Sequence, residues 1–171
     1  MLNKILLLYR YWFWSCERYA KFIGVSFGKG CRIRTKEFGS EPYLITIGDN
    51  VQITTGVRLS THGGGWTLRH KYPNFDCFGK IKIGNNVYIG NCALIMPGVT
   101  IGDSVIVGAG SVVTKSISSG SIVAGNPARI IGDMDNFEAK MLAFNLDIKH
   151  LTPEEKRAYL LSQPDSVFIV K

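Results

Sequence analysis

The chain has 171 residues, 46% of them hydrophobic and 19% charged, which is about one domain's worth of sequence and too apolar for a disordered chain. No stretch is long and apolar enough to cross a bilayer, so a cytoplasmic protein is expected. The formal charge of +7 gathers at the start, where Lys4, Arg10, Arg18, Lys21, Lys29, Arg32, Arg34 and Lys36 face only Glu17, a distribution that suits an anionic partner.

Residues 1–26 read as an N-terminal extension, helical between Ile5 and Phe22, where Leu, Tyr, Trp and Phe mix with Arg and Lys. The apolar run begins like a signal peptide, but Arg10 interrupts it and no clean small-residue cleavage site follows, so it is read as retained. Packing against the next domain is its expected use; the alternative is peripheral contact of residues 1–22 with the inner face of an anionic membrane. No nucleic-acid reading motif accompanies the cations, and nucleic acid is not expected as a partner. Cys16, Cys31, Cys77 and Cys92 stand at unrelated spacings, which fits reduced thiols better than a zinc site or a disulfide framework.

From residue 27 the pattern changes. Aliphatic residues recur at every sixth position, at Ile83, Ile89, Ile95, Ile101, Val107 and Val113, with a smaller residue four positions on at Val87, Ala93, Val99, Val105 and Ser111. The same phase runs through Ile47, Ile53 and Leu59 and, more weakly, from Phe27 to Ile33. Six is neither the period of a helix nor that of an ordinary strand. It fits short strands that each turn one large side chain inward, with glycine and Asn/Asp at the corners. Three hexads make a triangular coil of roughly 18 residues, and stacked coils bury a column that no single repeat could bury alone. A β-sandwich would require frequent turn signals and period-two alternation, and neither is present.

The phase breaks and then resumes. Residues 61–80, THGGGWTLRHKYPNFDCFGK, hold His62 and His70, the triple glycine Gly63, Gly64 and Gly65, and Trp66. A loop thrown out of a regular solenoid is a natural place for function. Further on, Pro127 disfavours helix at Asn126, so an extended exit from the last coil is expected. Region 133–171 turns helical, with Phe137, Met141, Phe144 and Ile148 at helical spacing. Thr152, Pro153, Glu154 and Glu155 combine an N-cap, a first-turn proline and early acids that start a second helix. These helices are expected to cover the open end of the coil. His150 lies far from any motif and reads as a surface residue.

The repeats, followed by VGAGSVVTKSI and VAGNPARII, resemble the hexapeptide-repeat acyltransferases, in the branch of galactoside, maltose and capsular-polysaccharide O-acetyltransferases. The likeness covers residues 27–132 and is most specific in its last third. It implies an all-β fold, a left-handed parallel β-helix that departs from the right-handed crossover rule. It also implies a homotrimer with active sites between subunits and transfer of acetyl from acetyl-CoA to a saccharide hydroxyl, with a capsule or exopolysaccharide glycan as the expected acceptor. An amino-sugar N-acetyltransferase is the alternative, and a non-catalytic scaffold a further one. A metal-dependent hydratase would need several histidines on adjacent strands; three scattered ones do not supply them, and no metal is expected.

Transfer to a hydroxyl calls for a base near neutrality, which histidine supplies. His62, at the exit of a repeat strand and followed by glycines that leave room for substrate, is the expected catalytic base; His70, between Arg69 and Lys71, is its competitor. Related capsule enzymes follow a Thr-His pair with Asp-Gly-Gly, whereas Gly63 stands here in place of the acid; the orientation or acceptor contact that acid supplies is left open, and a backbone carbonyl could orient the imidazole instead. A cysteine nucleophile at Cys77 or Cys92 would lack a histidine close in sequence, so direct attack is expected, with backbone N–H groups stabilising the oxyanion. Trp66 and Tyr72 offer ring faces to a sugar, or pack on a neighbouring subunit. Small residues at Ala93, Gly108, Ala109 and Ser111 leave room for the pantetheine arm. By resemblance, Lys115 and Arg129 meet the nucleotide end of CoA, Ala109 and Thr114 give backbone contacts, and Tyr88 and Asn91 line the cleft near pantetheine.

Overall fold

The hexads fold into a left-handed parallel β-helix. The computed structural model describes residues 2–170 and, for side chains, 5–170. Helices α1 (Leu2–Phe13) and α2 (Cys16–Ile23) precede the strands β1 (Ser26–Phe27), β2 (Arg32–Ile33), β3 (Ile45–Ile47), β4 (Gln52–Ile53), β5 (Arg58–Leu59), β6 (Ile81–Ile83), β7 (Tyr88–Ile89), β8 (Leu94–Ile95), β9 (Thr100–Ile101), β10 (Ile106–Val107), β11 (Val112–Val113), β12 (Ser121–Gly125) and β13 (Ala128–Asp133). They form three sides of a prism: β1-β3-β6-β9, then β2-β4-β7-β10-β12 with β13 at its edge, then β5-β8-β11. Ile83 pairs with Ile101 and Ile89 with Val107, each eighteen positions on.

The register puts the sixth-position residues inside. Ile53, Ile89, Ile95 and Val107 are fully buried, as are the smaller Val105 and Ala93 between them. Each large aliphatic so buried contributes about 1.5–3 kcal/mol. The corners use residues of two kinds. Gly90 follows an inward isoleucine and has no side chain because a Cβ there would lie 2.5 Å from the Ala109 nitrogen of the next coil. Two positions later the backbone turns left-handed, and Asn86 and Cys92 hold φ of 56° and 59° at successive corners. A ladder of side chains runs down one corner: Asp49 Oδ1 accepts from the Lys29 N–H (2.7 Å), Asn85 Oδ1 from the Asp49 N–H (2.8 Å), and Asp103 Oδ1 from the Asn85 N–H (2.6 Å).

The period slips twice. In the first coil the inward place on the third side falls to Phe38, five positions after Ile33 and 1% exposed; residues 39–44, with a 3₁₀ turn over Pro42–Leu44, then lead into β3. After β5 the chain leaves the coil until β6. Ile47 pairs with Ile83, thirty-six positions on, so the excursion adds one coil's length and the phase resumes intact. Its feet are tied by the Gly79 N–H to the Thr61 carbonyl (2.7 Å) and by an antiparallel bridge between His62 and Phe78.

The extended exit predicted at Pro127 turns back on itself. Beyond the cis Asn126–Pro127 bond, β13 runs antiparallel to β12, with Ala128 opposite Gly125 and Asp133 opposite Ser121. A hairpin partner therefore covers the outer edge of β12.

At the other end the N-terminal helices differ. The Ser15 side chain caps α2, Gly24 ends it at φ 105°, and α2 buries Tyr19 and Ala20 while Glu17 accepts the Ile33 N–H at 3.0 Å. Helix α1 is fastened at its C-terminal end, where the Lys36 ammonium donates to the Tyr11 and Trp14 carbonyls and the Tyr11 hydroxyl donates to Glu37 at 2.8 Å. None of its described side chains is buried. The packing expected of the whole segment is thus realised by α2; Met1 and the side chains of residues 2–4 lie outside the described residues.

The chain divides into compact units at 1–134 and 135–171. In the second, the helix α3 (Met134–Leu142) stops short of Ile148, and beyond it Asn145 Oδ1 accepts the Asp147 N–H at 3.1 Å where Asp147 turns to φ 48°. Such local side-chain bonding competes with helix. The helix α4 (Pro153–Ser162) starts where the sequence signals it, with Thr152 and Glu155 closing a reciprocal capping box.

Candidate active site

Strand β5 delivers Thr61 and His62 to the corner where the excursion begins, and the Ser60 N–H to Ile95 carbonyl bond (2.9 Å) fixes the backbone just before them. Both side chains converge on one oxygen. Glu41 Oε2 accepts from the Thr61 hydroxyl at 2.8 Å and lies 2.7 Å from His62 Nδ1. A carboxylate only accepts, so in the neutral imidazole Nδ1 carries the proton and Nε2 presents a lone pair. The His62 ring also meets the edge of Phe78 at 5.8 Å between centroids. Its side chain is 39% exposed against 15% for Glu41, so the acid is shielded and the imidazole is within reach of a ligand. Burial pushes the Glu41 carboxyl up, but the hydrogen bonds from Thr61 and His62 and the charge of His62 together outweigh it and hold the carboxyl below its ordinary value.

Glu41, and not a backbone carbonyl, is the partner that orients the imidazole. Its sequence position gave no motif to follow, because it lies twenty-one residues upstream. The available signal was indirect: residues 39–44 do not fit the hexad count. His70 has no such partner; its Nδ1 contacts the Thr67 carbonyl at 2.8 Å on the exposed loop.

The excursion is held by its own contacts. A 3₁₀ turn spans Gly65–Leu68, and Arg69 reaches the Phe75 carbonyl at 3.1 Å and Asp76 at 3.5 Å. Trp66 is 81% exposed and Tyr72 51%, so neither ring is packed away within this chain. A side chain at Gly63 would meet nothing within 4 Å. Cys77 and Cys92 are exposed, and neither has a histidine among its described partners.

On the cofactor side, register decides which residues share an edge. Leu59 pairs with Ile95 and Ile95 with Val113, so Thr61 and His62 stand on the same corner as Thr114 and Lys115. Two strand spacings separate them along the coil axis, about 10 Å. Lys115 and Arg129 line one groove of about 410 Å³ with Val113, Ser116, Ala128 and Ile130. Ser111 is buried, and its hydroxyl accepts the Gly125 N–H at 3.2 Å; this leaves its backbone rather than its side chain for a ligand. Asn91 and Ala109 occupy the preceding corner, where the Asn91 carbonyl accepts the Gly110 N–H at 2.8 Å. Tyr88 faces outward from the second sheet, in a separate groove with Gln52 and Asn86. One chain therefore brings Thr114, Lys115 and Arg129 toward the His62 edge and leaves Tyr88 and Asn91 elsewhere. Among the described residues no group of three or more His, Cys, Asp or Glu is placed to hold a metal ion.

Residues 80–115 match the family described as bacterial transferase hexapeptide (six repeats). Protein CapG of Staphylococcus aureus is 50% identical over 145 residues, covering 82% of this chain and 84% of that protein. The galactoside O-acetyltransferase of Escherichia coli (strain K12) is 44% identical over 98 residues; the match takes in 56% of this chain and 47% of that protein, about half its length. Among solved structures, a galactoside acetyltransferase in complex with coenzyme A aligns with a TM-score of 0.57 at 29% identity, covering 81% of this chain and 82% of that one.

Proposed function

The chain belongs to the bacterial hexapeptide-repeat acetyltransferases, and on that premise we propose that it carries acetyl from acetyl-CoA to a saccharide hydroxyl with His62 as general base. The observation that carries this reading is the convergence of His62 and Thr61 on Glu41 at 2.7 and 2.8 Å. Glu41 holds the imidazole in one tautomer and stabilises the imidazolium formed during reaction. His62 Nε2 removes the acceptor proton as the oxygen attacks the thioester carbonyl. Collapse of the tetrahedral intermediate breaks the carbon–sulfur bond, and the imidazolium returns its proton to the departing thiolate. Lys115 and Arg129 suit the phosphates of the nucleotide end, with the arm running along the shared edge toward His62. Thr114, just past β11, offers backbone groups on this edge, whereas Ala109 shares the corner of Asn91.

Tyr88 and Asn91 enter this reading through a second copy of the chain, because they lie on a different side of the coil. A trimer would set that side against the His62 edge of a neighbour, and sedimentation of a stable monomer at working concentration would remove them from the site. Exposed Trp66 and Tyr72 suit stacking on the acceptor sugar.

The test is thiol release from acetyl-CoA across a panel of sugars and glycans, comparing the native chain with His62→Ala and His70→Ala. Loss confined to His62→Ala supports the assignment, and equal loss in both overturns it. An alkali-labile product identifies an ester; an alkali-stable one identifies an amide and an amino acceptor. Failure to bind acetyl-CoA would leave the solenoid as a scaffold.

A further inference from the structure

Helix α1 is apolar on the side it turns away from the coil. Helical spacing puts Tyr11 and Trp14 on the side held by Glu37 and Lys36 and puts Ile5, Leu8, Tyr9 and Phe13 opposite, with Trp12 between the two sides at the rim of a groove it shares with Arg34 and Lys36. Ile5, Leu8, Tyr9, Trp12 and Phe13 are between 57% and 74% exposed. A helix apolar around most of its circumference is normally buried in a core or in lipid. At twelve residues α1 is too short to span a bilayer, and no helix among the described residues is long and apolar enough to do so.

The charge around it is predominantly positive. Arg18, Lys21, Lys29, Arg32 and Arg34 are exposed on the neighbouring α2 and first coil. The two acids nearby, Glu17 and Glu37, accept from the Ile33 N–H and the Tyr11 hydroxyl, and the cations outnumber them. Arg10 and Arg18 lie over the Trp14 ring at 5.1 and 4.0 Å, which keeps cation and indole side by side at the end of the helix. Apolar side chains beside a band of cations and Trp/Tyr rings match the layers of a bilayer surface: acyl chains, headgroup boundary and anionic phosphates.

We propose that α1 lies flat in the surface of an anionic phospholipid bilayer, with Trp12 and Phe13 inserted and the cations of α2 and the first coil set on the lipid phosphates. This is independent of the acetyltransferase reading, since no residue it uses belongs to the His62 site. Two apolar anchors and several cations together exceed what either signal supplies alone.

The test is flotation of the full chain with phosphatidylcholine vesicles with and without phosphatidylglycerol, beside a Trp12→Ser, Phe13→Ser double variant and an Arg32→Glu, Arg34→Glu double variant. Thermal melting and circular dichroism of both variants establish that the coil is intact. The expected result is flotation only with phosphatidylglycerol, weakened by salt and reduced by about tenfold or more in each variant. No flotation of the native chain overturns the proposal, as does flotation unchanged in the Trp12→Ser, Phe13→Ser variant. Sedimentation that shows this variant dissociating a native oligomer, without native vesicle binding, would assign the face to a second copy instead.

Discussion

The sides of the coil and the two places where the coil is interrupted follow different rules. Along the sides, every inward position repeats the same task, so Ile89, Ile95 and Ile101 are interchangeable in kind and buried alike. At the interruptions no residue has an equivalent one coil away. Glu41 sits in the first, His62 opens the second, and the coil sets them side by side although twenty-one residues separate them. A rigid periodic frame thus lets two unrelated irregular segments meet with fixed geometry, which a catalytic pair requires and a pair of flexible loops would not supply.

The sharpest way to separate the two regions is His62→Ala. It should lower kcat/KM by about 10² or more while lowering the melting temperature only by what the lost Glu41 contact supplies, because the side chain is partly exposed and fills no core position. The opposite dissociation is expected of Ile89→Ala, which should cost about 2–5 kcal/mol in urea unfolding and leave turnover per folded molecule unchanged. Loss of turnover without loss of stability at Ile89 would erase the distinction between frame and site.

Glu41→Gln tests the link between the interruptions. Turnover should fall by about tenfold or more, through kcat rather than KM, since the amide keeps the shape but not the charge that stabilises the imidazolium. The acid limb of stability should also change. Because the Glu41 carboxyl is held below its ordinary 4.5, its contacts stabilise the fold above that pH and are lost as pH falls through the lowered value; acid unfolding of Glu41→Gln should lack this contribution. A smaller effect is expected from Lys115→Ala or Arg129→Ala: a rise of about tenfold in KM for acetyl-CoA with kcat little altered. The smallest is Gly63→Asp, which meets open space and should change stability by no more than about 0.5 kcal/mol.

The frame was legible because its physics is repetitive: a missing side chain at Gly90 and a left-handed corner at Asn86 follow from the same six-residue step. The start of α4 was legible for a local reason, since Thr152 and Glu155 cap it within four residues. What escaped depended on contacts distant in sequence or on exceptions to the step. Phe38 takes an inward place on a spacing of five, the strand after Pro127 folds back instead of leaving, and Glu41 has meaning only once the coil has brought it to His62. Of the candidate site, His62, Lys115 and Arg129 were visible as residues of the right chemistry. Their placement was not, because His62 and Lys115 share an edge through the pairing of Leu59 with Ile95 and of Ile95 with Val113, and Arg129 joins Lys115 only through the returning strand β13.

That pairing makes the coil a ruler. The distance from His62 to Lys115 is counted in strand spacings, here two, and each graduation is about 4.8 Å. A lineage that duplicated or deleted one eighteen-residue turn between His62 and Lys115 would keep every aliphatic side chain facing inward, yet it would lengthen or shorten the reach offered to the acyl donor by one whole graduation. Gradual tuning of that reach is closed to this architecture; it changes by steps or not at all.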